Sequence, residues 1–195
     1  SDIMGGALSG ALSLAAAGQM EVAAAGEVAA SAMNQFGLAG ADVPHIADML
    51  ASAANAAQGS VHDMGMALNQ TGIIAAQSGL SIEETVGGLT AFASAGLVGS
   101  DAGTSFKTML MRLTPTTKQA QEAMDSLGVS AYDSNGNFVG LADVAGQLQS
   151  SLSVLSEEQR QVALMTIFGS DAIRGANILF NQGADGVRGY IDQIS

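Results

Sequence analysis

The chain contains no cysteine. Zinc ribbons, thiol redox chemistry, cysteine nucleophiles and disulfide-stapled secreted scaffolds are therefore excluded. Tryptophan is also missing and aromatic residues make up only 4% of the 195 positions, so packing falls to Ala, Leu and ten Met. That composition favours close helix contacts over a large globular core. Charged residues are scarce as well, at 12% against a typical share of about 25%. Low charge and a mean hydropathy of +0.30 exclude a disordered chain, and the length supports a core without metal or disulfide.

Basic residues are the scarcest of the charges, six Lys and Arg against 18 Asp and Glu, for a net charge of −12. Counterion-release binding to DNA needs bases on phosphates, so stable nucleic-acid binding is not expected. Every base (Lys107, Arg112, Lys118, Arg160, Arg174, Arg188) lies at or beyond position 107. Residues 1–106 thus carry nine acids and no base, net −9, and the remaining 89 carry nine acids and six bases, net −3. Alanine follows the same divide, with 25 of 35 in the first 100 positions. The asymmetry predicts a boundary near residue 100 and a front part that repels DNA phosphates.

No basic segment precedes Ile3, so the start is not a signal peptide. The chain begins at Ser1 and ends at Ile194-Ser195 without a terminal signal, and a fragment of a longer protein is expected. Ile3 to Met20 is uncharged for 18 residues, about the lower limit for crossing a bilayer. Its large apolar residues are only Ile3, Met4, Leu8, Leu12, Leu14 and Met20, set among Ala, Gly and Ser. Spacings such as Gly6 with Gly10, and Ala7 with Ala11 and Ala15, allow helix backbones to approach closely. An Ala-rich helix packing on copies of itself is the main expectation, and membrane insertion of residues 3–32 is the alternative.

Helical punctuation dominates the rest. Residues 2–36 read as one Ala-rich helical stretch ended by Phe36-Gly37. Asp42 is placed to cap a helix with Pro44 in its first turn and Ile46, Met49, Leu50, Ala53 and Ala57 on one face. A helix from Val61 carries Met64 and Leu68 and ends at Ser78-Gly79. Ser81-Ile82-Glu83-Glu84 matches a capping box, in which hydroxyl and carboxylate each satisfy an orphan backbone donor. From Asp101 or Thr104 a helix carries Phe106, Met109, Leu110 and Leu113. Thr114 is placed to cap a helix holding Pro115 at its first position and ending at Leu127-Gly128.

Val129 to Tyr132 and Phe138-Val139 flank Asp133-Ser134-Asn135-Gly136-Asn137, and Asn-Gly between β-friendly runs predicts a hairpin. Leu141, Val144, Ala145, Leu148, Leu152 and Leu155 then form an amphipathic stripe. Ser156-Glu157-Glu158-Gln159 is a second capping box, opening a helix that ends at Phe168-Gly169. Ser170 is placed to cap the next helix, which breaks between Asn181 and Gly183, and Val187, Ile191 and Ile194 mark a short final one. The expected class is all-α, several short to medium helices with one small β-hairpin near residues 129–139. Its parts are an Ala/Gly-rich segment 1–36, a helical hairpin-like region 37–100 and a region 101–195 containing the hairpin.

No constellation for chemistry emerges. His45 and His62 each neighbour an acid, Asp48 and Asp63, but further zinc ligands at suitable spacing are missing. A Ser/His/Asp triad has neither a Gly-x-Ser-x-Gly elbow nor strands to carry it. The glycines of Gly96 to Thr104 lack the following Lys and preceding strand of a phosphate cradle. Asp133 to Asn137 superficially resembles a calcium loop, with its glycine misplaced and no bidentate Glu following. The pairs Glu83-Glu84 and Glu157-Glu158 sit in first helical turns, where the macrodipole accounts for them. Catalytic, cofactor-binding and metal residues are accordingly expected to be none, and the chain is not expected to be an enzyme.

From about Phe36 onward the order of features resembles the core region of tail tape measure proteins of long-tailed bacteriophages. The run reads Ala75-Ala76-Gln77-Ser78-Gly79-Leu80-Ser81-Ile82-Glu83-Glu84, then Ala95 through Thr104, then Leu110, Leu113, Thr114 and Pro115. It continues with Leu127-Gly128-Val129, Tyr132 to Gly136, and Ile167-Phe168-Gly169-Ser170-Asp171-Ala172. The resemblance implies a structural virion protein that lies in the tail tube, sets its length and leaves ahead of the DNA. It implies as partners further copies in a parallel trimer or hexamer, the tail tube protein, tail assembly chaperones and tip or baseplate proteins. Contact with the host envelope on infection is also implied, and the Ala/Gly-rich first part departs from the family's pattern.

Overall fold

The computed structural model describes residues 2–195, with side chains from position 5 onward. Ser1 lies outside the described residues, as do the side chains of Ile3 and Met4 from the apolar set above. Among the described residues there are nine α-helices and one 3-10 turn, Gly40–Asp42. The all-α class holds.

The front stretch is two helices, α1 (Asp2–Gly18) and α2 (Val22–Phe36), where one was expected. Gln19 adopts a left-handed φ of 49° and the Met20 N–H closes back on the Ala15 carbonyl at 3.0 Å, which ends α1 before Glu21. Small residues let α1 lie against α3 (Val43–Ala56): a Cβ on Gly10 would sit 2.7 Å from Val43 Cγ1 and 2.8 Å from the Pro44 nitrogen. Pro44 occupies the first turn of α3 as expected, and Ile46, Met49, Leu50 and Ala53 are buried. Asp42 precedes α3, yet its carboxylate accepts the Ala39 N–H at 2.8 Å and caps the 3-10 turn instead.

Helix α4 (Val61–Ser78) is capped by Ser60, which accepts the Asp63 N–H at 3.0 Å, and closes on left-handed Gly79. Helix α5 (Ile82–Ser94) has the expected capping box at Ser81 and Glu84. Helix α6 (Gly99–Arg112) starts two residues before Asp101, the earlier of the expected starts. It packs tightly on α4 at Gly103, where a Cβ would run into the Ala67 carbonyl and lie 2.7 Å from Gln70 Cβ.

Two local readings are corrected after α6. Thr117, not Thr114, caps α7 (Lys118–Leu127), accepting the Ala120 N–H at 3.1 Å, while Thr114 donates its hydroxyl to Tyr132 Oη at 3.3 Å. Pro115 therefore sits in the connection before α7. The β-hairpin expected near 129–139 is not formed. The segment doubles back with a single antiparallel bridge, Tyr132 to Phe138, and no strand. Side chains capture the backbone groups a ladder would need: Asp133 Oδ1 accepts the N–H groups of Asn135 and Asn137 at 2.8 and 2.9 Å. The Gln147 amide likewise pairs with the N–H and carbonyl of Ser130 at 2.8 and 3.0 Å.

Helix α8 (Leu141–Leu152) buries the expected Leu141, Val144, Ala145, Leu148 and Leu152. The last element, α9 (Glu157–Ile194), has a capping box at Ser156 and Gln159 and non-helical backbone at Gly169 and Gly183. The breaks divide it into segments 157–168, 170–182 and 184–194, which wrap α5, α6 and α8. The core is continuous from Leu14 to Ile194 and centres on Phe92, Phe106 and Phe168, with the Phe92 and Phe106 rings 5.2 Å apart. Packing of α4 on α6, and of α3 and α5 on α9, crosses residue 100.

Candidate functional site

Several of the residues weighed for chemistry serve local contacts of the fold, and others are simply exposed. His45, on the exposed side of α3, meets Glu83 of α5, with Nε2 3.1 Å from Oε1. Burial pushes the Glu83 carboxyl up, but hydrogen bonds from its own backbone N–H, His45 and Ser81, together with the His45 charge, outweigh it and hold the group below its usual value. Glu84 Oε2 accepts the Ser81 N–H at 3.2 Å and its Oε1 accepts the Leu141 N–H at 3.0 Å. The two adjacent carboxylates thus face different partners and do not form an acid/base pair.

His62 is exposed and lines a shallow groove of 180 Å³ between α2 and α4 with Glu27, Ser31, Met66 and Asn69. Its neighbour Asp63 accepts the Ser60 hydroxyl at 2.8 Å and serves the α4 cap. Asp48 is exposed on α3. Asp133 lies below its usual value, held there first by the Asn137 backbone N–H, against the opposing effect of desolvation, and further by the Asn135 N–H, the Asn137 side chain and the Gly136 N–H. Among the described residues no group of three or more His, Cys, Asp or Glu is arranged to hold a metal ion. Glu157 and Glu158 are exposed in the first turn of α9, and Gln159 completes the box beside them.

Of the Gly-rich connection, Gly96 ends α5 and Asp101 pairs with Arg174 of α9 at 2.8 Å. That pair, and Arg160 lying 4.8 Å over the Phe180 ring, had no sequence signal because their partners are distant or on the next helical segment. The methionines divide between roles: Met49, Met64 and Met109 are core, whereas Met66, Met111 and Met165 are exposed.

What this arrangement supplies is a packed helical body with several large apolar residues left exposed. A family model described as "Phage-related minor tail protein" matches residues 1–169. The chain belongs to this family. This tail component is also similar to the tape measure protein of Pneumococcus phage Dp-1, 36% identical over 179 residues, covering 92% of the chain and 16% of that protein. A probable tape measure protein of Escherichia phage P2 is 33% identical over 153 residues, 77% of the chain and 19% of the relative. The chain therefore spans less than a fifth of the length of these curated relatives. No solved structure matches it. The resemblance to tape measure proteins read from the motif run is thereby shown, and the family is a structural one of the phage tail.

Proposed function

We propose that this chain is a segment of a tape measure, held in the lumen of the tail tube and released ahead of the DNA during ejection. The observation that carries the reading is the match to a tape measure protein across 92% of the chain. The base-free first 106 residues support it, because a lumen later filled by DNA favours a wall-and-ruler material that phosphates do not hold. A parallel homo-oligomer, trimer or hexamer, is the proposed arrangement, with the tail tube protein, tail assembly chaperones and tip proteins as partners. The division 1–36, 37–100 and 101–195 belongs to the same proposal, as a division of use within one continuous core. Even fully helical, the segment would reach only about 290 Å at 1.5 Å per residue, and its many breaks make the folded segment shorter than that.

Membrane insertion of residues 3–32 is the weaker reading. Helices α1 and α2 have 17 and 15 residues, short of the roughly 20 a bilayer requires, and Glu21 separates them. Protease treatment of virions tests the lumenal placement. The segment should resist cleavage in intact tails and become cleavable, or leave the tail, after triggered ejection. Equal cleavage before and after ejection overturns the placement.

A further inference from the structure

The reversal between Tyr132 and Phe138 sets an asparagine directly before a glycine, Asn135 and Gly136, where no helix holds the backbone. Asn34, Asn55, Asn69, Asn177 and Asn181 all lie inside helices and precede residues that carry a side chain. In a helix the N–H after each of them is committed to the carbonyl four residues earlier. Asn137 shares the reversal but precedes Phe138, and its amide donates to Asp133 Oδ2 at 3.4 Å. Asn135 is exposed, and its side-chain amide engages none of the described residues. Gly136 has no Cβ, and one built there would meet nothing within 4 Å, so the face of the Gly136 nitrogen is open. That nitrogen, together with the carbonyl carbon, Cα, Cβ and Cγ of Asn135, makes a five-membered ring once the nitrogen bonds Cγ. The turn itself restrains the nitrogen. Its N–H donates to the Asp133 carbonyl at 3.0 Å, and Asp133 Oδ1 pins the N–H groups on either side, of Asn135 and Asn137, at 2.8 and 2.9 Å.

We propose that Asn135-Gly136 is a site of spontaneous covalent modification, in which the chain supplies its own nucleophile, and that the Asp133 turn sets the rate. The Gly136 nitrogen bonds to Asn135 Cγ, the Cγ–Nδ2 bond breaks, and Nδ2 leaves as ammonia with the proton that the Gly136 nitrogen gives up. Solvent water, the only co-reactant, then opens the succinimide at either carbonyl and leaves an aspartyl or an isoaspartyl link. Both products place a further negative charge two residues from Asp133. The isoaspartyl link also adds one carbon to the main chain. Bonds that span it are then out of register: the Gly136 N–H to the Asp133 carbonyl, and the Asp133 N–H to the Asn137 carbonyl at 2.9 Å. Phe138 follows that turn, with its Cβ against Gly79 at the end of α4 and its ring 6.1 Å from that of Tyr132. Modification therefore loosens the reversal from the end of α4. The inference stands on the turn alone, independently of where in the tail the segment lies.

Ageing the full chain in mildly alkaline buffer and mapping its peptides by mass spectrometry tests it, with fragmentation that separates aspartyl from isoaspartyl links. Asn135 should convert ahead of every other asparagine and give both products. Asn135→Gln, which would have to close a six-membered ring, should leave that peptide unchanged over the same period. Asp133→Ala, with its helical circular dichroism kept, should convert Asn135 severalfold faster than the parent, because the Gly136 nitrogen is no longer restrained. Asp133→Asn retains one acceptor oxygen and should fall between the two. The parent chain unfolded in urea, where the turn is absent, should also convert severalfold faster than the folded one. Conversion at Asn135 no faster than at the helical asparagines, an aspartyl product without the isoaspartyl one, or an unchanged rate in Asp133→Ala or in urea each overturns the proposal.

Discussion

The carboxylate of Glu84 closes two helices at once, accepting the N–H of Ser81 at the start of α5 and the N–H of Leu141, 57 residues later, at the start of α8. Gly140, just before α8, offers no side-chain cap, so Glu84 supplies from α5 what the local sequence lacks. Glu84→Ala removes both acceptors from a partly buried junction and should cost about 2 kcal/mol, lowering Tm by about 4 to 8 °C. Glu84→Gln keeps one acceptor and should fall between. A scanning calorimetry series on the three chains checks the order.

Glycines that serve close approach and glycines that serve nothing should respond with opposite signs. Gly26, inside α2, has nothing within 4 Å of a Cβ, and Gly26→Ala should stabilise by about 1 kcal/mol through helix propensity. Gly103→Ala drives a methyl into the α4 backbone and should destabilise by about 1–3 kcal/mol despite the same propensity gain. Urea midpoints of the two variants, one above and one below the parent chain, are the readout.

The core should matter far more than the surface ion pairs. Phe92 packs against Phe106 with its ring tilted at 57° and lies under Gly175 of α9, so Phe92→Ala should cost about 3–5 kcal/mol. Asp101 and Arg174 are more than half exposed, at 65% and 58%, and Asp101→Asn should cost less than about 1 kcal/mol. Comparable losses for the two variants in chemical denaturation would contradict this ranking.

Acid should weaken the fold through Glu83. Its folded value is depressed below the ordinary 4.5, so the carboxylate's contribution is fully present above that value and is lost as pH falls through the lower folded one. Glu83→Gln should therefore flatten part of the stability loss below about pH 4.5. Asp133, depressed in the same direction, adds to the same acid limb, and an unchanged slope in Glu83→Gln would assign the loss elsewhere. Urea midpoints taken from pH 7 to pH 3 give the slopes.

The sequence made legible what depends on neighbours a turn apart. Ser81 with Glu84, and Ser156 with Gln159, form reciprocal bonds across three positions, and both boxes stand where they were read. The stripe from Leu141 to Leu152 is local in the same sense, and so are the glycine stops at Gly37, Gly79 and Gly128. Competition between nearby candidates was not legible: Thr114 and Thr117 are equivalent by type, and Tyr132 engages the first of them. Asn135-Gly136 signals a reversal, which occurs, but Asp133 and Gln147 take the donors and acceptors that strands would have used. Long-range pairs such as Arg174 with Asp101 have no local signature at all.

Tail length measured by electron microscopy on phages whose parent protein is shortened in frame outside these 195 residues tests the ruler account most directly. Tails should shorten in proportion, by about 1.5 Å for each helical residue removed. Tails of unchanged length in such phages would contradict it.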